Sequence, residues 1–80
     1  MSKYSALRRR LESHAGPSVD VTFRELDDIV GGLPASARRY AAWWSNEREG
    51  SHVQAHAWME AGWRVESVNL TTETVRFTKT

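Results

Sequence analysis

Between Tyr4 and His14 the apolar positions Tyr4, Leu7 and Leu11 recur at the spacing of one helix face, with Arg8, Arg9, Arg10 and Glu12 around them. They predict a first helix that Gly16-Pro17 ends, since proline cannot continue the hydrogen-bond ladder. Val19-Asp20-Val21-Thr22 then alternates apolar and polar, the pattern of a short edge strand. Thr22-Phe23-Arg24-Glu25 has the form of a capping box and opens a second helix, with Phe23, Leu26, Ile29 and Val30 as its buried face and Gly31-Gly32 as its end. Pro34 suits the first turn of a third helix, along which Ala37, Tyr40, Ala41 and Trp44 follow at helical spacing.

Ser45 to Gly50 holds no apolar residue and reads as an exposed connection. Ser51-His52-Val53-Gln54 is a second capping-box candidate for a helix over 51–61, with Ala55, Trp58, Met59 and Gly62 on one face and Gly62 as its terminator. Trp58 is expected in the core. From Trp63 the pattern becomes extended, turns at Thr71-Thr72-Glu73 and returns through Val75 and Phe77, which predicts a terminal hairpin. Val65 and Val68 stand three apart rather than two, so a bulge is expected near Glu66 or Ser67. Val19 to Val21 is expected to pair with this hairpin as a third strand.

The order helix, strand, helix, helix, helix, strand, strand predicts a single α+β domain over 1–80 of winged helix-turn-helix-like architecture. In it the segment 34–44 is an extra short helix before a recognition helix at 51–61, and the C-terminal β-hairpin is the wing. Composition narrows the function classes. Eighty residues allow one small core and no deep cleft between domains, which argues against an enzyme. Cysteine is absent, which removes disulfides, thiolate nucleophiles and cysteine-based metal sites and suits reducing cytoplasm. No apolar run approaches the roughly 20 residues of a membrane span, and the first residues lack a signal-peptide core, so a soluble cytoplasmic protein without membrane contact is expected. Trp is 4 of 80, enough to supply much of the core.

Leu33-Pro34-x-Ser36-Ala37, then Trp43-Trp44-x-Asn46, then Ala55-x-Ala57-Trp58-x-x-Ala61-Gly62-Trp63-x-Val65, resembles a family of small, largely uncharacterised bacterial domains. Thr22-Phe23 and Gly31 fit the start of that family, and the resemblance spans about residues 4 to 78. Such domains occur alone or beside DNA-processing and restriction modules, so the resemblance implies a link to nucleic acid, regulatory or defence-related.

The candidate chemistry is that of binding. Arg38 and Arg39, next to Trp43, Trp44 and Asn46 and followed by Arg48, make a basic and aromatic segment of the kind that grips a phosphate backbone, with Asn46 as a base reader. The helix at 51–61 would present Ser51, His52, Gln54 and His56 near its start, where recognition helices read bases. Arg8-Arg9-Arg10 is an equally good phosphate site or a solvated helix face. The expected partner is double-stranded DNA. The net charge of +1 argues for a local patch rather than nonspecific coating. The rival is a protein-interaction module, adaptor or antitoxin-like or a homodimer, in which exposed Trp and Arg form the contact. His52, His56 and Glu60 lie at i, i+4 and i+8, but no further ligand or base accompanies them, so neither metal nor other cofactor is expected.

Overall fold

The computed structural model describes residues 3–47 and 53–80. Its elements are helix α1 (Ser5–Glu12), strand β1 (Ser18–Thr22), helix α2 (Phe23–Val30), helix α3 (Ala35–Arg39), a 3₁₀ turn (Ala41–Trp44), helix α4 (Val53–Glu60), and strands β2 (Trp63–Asn69) and β3 (Thr74–Lys79). The fold is α+β, a three-stranded antiparallel sheet in the order β1-β3-β2 with α-helices packed on its apolar face.

The capping box forms as its sequence implies. Glu25 N–H donates to Thr22 Oγ1 at 3.1 Å and Thr22 N–H donates to the Glu25 carboxylate at 3.4 Å. The α2 C-terminus is closed by Gly31 at φ 79°, a left-handed conformation that a side chain would strain, and the Gly32 N–H returns to the Asp27 carbonyl. The expected hairpin and third strand are both present, and the register of β2 against β3 shifts between Val65 and Ser67, where the valine spacing places the bulge. At the hairpin turn Asn69 Oδ1 accepts from the N–H groups of Thr71 and Thr72, and Glu73 sits at φ 56° with its carbonyl accepting the Phe23 N–H.

The expected single helix over 34–44 is instead two pieces. Tyr40 is extended, at φ −127° and ψ 119°, and separates α3 from the 3₁₀ turn. The physical reason lies at Ala37, whose carbonyl a continuing α-helix would offer to the Ala41 N–H. The Trp44 indole takes it instead, with Nε1 donating at 2.8 Å. This break lets Trp44 turn inward between Phe23 and Trp58, with ring centroids 5.1 and 6.1 Å away and both pairs nearly parallel. Tyr40, expected on the buried face, is left 61% exposed.

The core is a stack of aromatic rings closed by the sheet. Trp44, Trp58, Trp63, Phe23 and Phe77 are its largest buried side chains, with Leu11, Leu26 and Val75 filling between them. Trp58 is fully buried, as its helix face predicts, and its ring lies 5.6 Å from Phe77. The second capping-box candidate falls on Ser51 and His52, outside the described residues. Among the described residues no helix is long and apolar enough to cross a membrane.

Candidate functional site

Among the described residues expected to meet DNA, Arg38, Asn46 and Gln54 are engaged in bonds within the chain. Gln54 is only 7% exposed, and its Nε2 donates to the Trp43 carbonyl at 3.0 Å, so it is a buried strut rather than a base reader. Its position follows from α4, where Gln54, Ala55, Ala57 and Trp58 are all buried and the helix is enclosed on most of its circumference. Over its described residues a helix so enclosed leaves Val53, His56, Met59 and Glu60 wholly or partly exposed. Among the remaining expected contacts, Arg48, Ser51 and His52 lie outside the described residues.

Asn46 lies at the surface, but most of its amide is engaged within the chain. Its Oδ1 accepts both the Val65 N–H at 2.8 Å and the Trp58 Nε1 at 2.9 Å, while its Nδ2 donates to the Val65 carbonyl at 2.9 Å. The amide thereby serves both backbone groups of one β2 residue, much as a neighbouring strand would, and fixes the indole of α4. Both lone pairs of Oδ1 and one of the two Nδ2 hydrogens are thereby engaged, which leaves a single N–H and no acceptor for the paired contact by which an amide reads adenine. Trp43 is partly buried, with its ring 6.1 Å from Tyr4 and 4.7 Å from Trp44 in edge-to-face geometry and 6.5 Å from Trp58.

Arg38 is also committed within the chain. Its Nη1 and Nη2 reach the two Asp27 oxygens at 3.2 and 2.5 Å, and its Nε stands 3.5 Å from Glu73, so its fork clamps α2 and the hairpin turn to α3. The Arg38 hydrogen bonds and then the Leu33 N–H, which donates to Asp27 Oδ1 at 2.8 Å, hold the Asp27 carboxyl below its usual range. Arg39, next in the chain, is exposed and is the one described member of the expected basic segment that remains available. On the outer sheet face Arg76 forms a second two-pronged pair with Asp20, which lowers the Asp20 pKa.

His56 is half-exposed in a groove between α1 and α4. Tyr4, Ser5, Arg8, Val53, Ala57 and Glu60 complete its lining, and its volume is about 240 Å³. Arg8 Nη1 bridges to Glu60 at 2.8 Å and its Nε to Glu12 at 3.3 Å, so the charged rim is largely self-paired. His56 Nδ1 stands 4.0 Å from Glu60. Among the described residues no group of three His, Asp or Glu is gathered to hold a metal.

The sequence gives little warning of the apolar surface that results. Among the described residues, Tyr40 at 61% and Val53 at 58% are the large hydrophobic residues left exposed. Between them lie the partly buried Trp43, whose ring meets Tyr4, and Tyr4 itself, which is buried but lines the groove together with Val53. Exposed Arg39, Ala41 and Ala42 flank Tyr40 in the chain. The local signal was the Tyr40-Ala41-Ala42 run beside a double Trp, which helical periodicity alone assigns to a buried face.

Comparison with known proteins gives a family without an activity. No curated protein and no solved structure matches the chain. A family model described as a domain of unknown function (DUF7662) matches residues 4–80. With nearly its whole length matched, the chain belongs to the DUF7662 family.

Proposed function

We propose that this domain is a protein-interaction module that docks a partner through its exposed Arg39, Tyr40 and Val53, with the partly buried Trp43 beside them. The observation that carries the reading is the exposure of Tyr40 and Val53 in a domain whose other described aromatic residues are buried, or in the case of Trp43 partly buried. Exposed aromatic and arginine side chains beside partly buried rings are the groups that dominate protein interfaces. The consumption of Arg38, Asn46 and Gln54 by internal bonds favours this reading over base recognition. The absence of cysteine suits such a module to a reducing compartment such as the cytoplasm.

The test is site-specific photo-crosslinking in cells, with the crosslinking amino acid placed at Tyr40 and, as a control, at exposed Asp28 on α2. A discrete protein adduct is expected from position 40 alone, and Val53→Asp is expected to abolish it. Equal adducts from both positions, or none from position 40, would overturn the proposal.

A second reading rests on topology. The sheet order β1-β3-β2, with one strand between the first two helices and a hairpin directly after the last, supports a winged helix-turn-helix reading. In that reading the domain is a variant of the winged helix that binds duplex DNA with Arg39 and the start of α4. Fluorescence anisotropy on labelled duplexes separates the readings, because phosphate-mediated binding falls steeply with salt whereas an apolar docking surface changes little.

A further inference from the structure

We draw no further inference here: the strongest candidate, the groove between α1 and α4 lined by Tyr4, Arg8, Val53, His56 and Glu60, belongs to the face already proposed for docking, and with Arg8 shared between Glu12 and Glu60 nothing in the structure shows what chemistry covers it.

Discussion

Asn46 and Asp27 each join stretches of chain that are remote in sequence, with opposite chemistry. Asn46 is neutral and binds a fully buried indole and the backbone of Val65, itself buried in β2. Asp27 is charged and binds Arg38, and both side chains keep about a third of their surface in water, at 30% and 32%. Removing the amide leaves the indole N–H of the fully buried Trp58 and both backbone groups of Val65 without their partner, a loss that water, admitted at the exposed position of Asn46, makes good only in part. Breaking the ion pair returns two charges to solvent that already screens them. The number of hydrogen bonds at a junction is therefore a poor guide to its weight; the burial of the groups left behind decides it.

The largest expected effect tests the interior side of this contrast. Trp58→Ala removes a ring packed against Trp44 and Phe77 as well as the donor to Asn46, and is expected to cost about 3–5 kcal/mol. In a domain of this size that lowers the melting temperature by on the order of 20 °C, readable by circular dichroism. A melting curve matching that of the wild type would remove the aromatic stack as the source of stability.

Asn46→Ala is expected to cost about 1–3 kcal/mol in urea denaturation. Asn46→Asp keeps acceptors for Trp58 and the Val65 N–H but sets a carboxylate against the Val65 carbonyl, so it is expected to destabilise as well. If Asn46→Ala cost no more than Asp27→Asn at neutral pH, the contrast between the two junctions would collapse.

Asp27→Asn is expected to cost under about 1 kcal/mol at pH 7. Its pH dependence sharpens the comparison. The folded carboxyl titrates below its unfolded value of about 4, so its stabilisation is complete above that value and is lost as pH falls through the depressed folded value. The stability gap between wild type and Asp27→Asn should thus close in acid, while the gap for Asn46→Ala persists there. A gap for Asp27→Asn that widened as pH fell would reverse the assignment of the pair as stabilising.

The smallest effect on stability is expected at the proposed docking face. Tyr40→Ala should change unfolding by no more than about 0.5 kcal/mol, because the ring lies mostly in water. A larger loss would mean that Tyr40 serves the fold rather than a partner.

What was legible in the sequence was local. The capping box at Thr22 and Glu25 spans three residues, and the bulge in β2 follows from the spacing of two valines in one strand. Two polar residues expected to contact DNA find partners far along the chain: Asn46 reaches 19 residues to Val65, and Gln54 reaches 11 residues back to Trp43. Periodicity gives the faces of a helix but not how many of them are covered, so a polar residue on an enclosed helix such as α4 reads as solvent-facing. The break at Tyr40 was hidden for a related reason. It depends on the Trp44 indole capturing a carbonyl seven residues earlier, a tertiary contact that helical spacing does not encode.

The Asn46 amide has a further consequence for how the protein behaves in crowded solution. Hydrogen bonding of Thr80 N–H to the Gly62 carbonyl sets the parity of β2 and turns the Val65 backbone groups toward its outer edge, where an incoming strand from another molecule would bind. Asn46 occupies that position. On the opposite edge, the parity set by Lys79 N–H and the Pro17 carbonyl points Ser18 and Thr22 outward, and there the His14 ring stands 3.2 Å from the Ser18 carbonyl while Glu25 engages the Thr22 N–H. Each edge of a small three-stranded sheet is thus guarded by side chains that compete with intermolecular pairing. Loss of Asn46 would therefore open a template for aggregation, so that an Asn46→Ala sample is expected to lose soluble protein on concentration faster than its lowered stability alone would dictate.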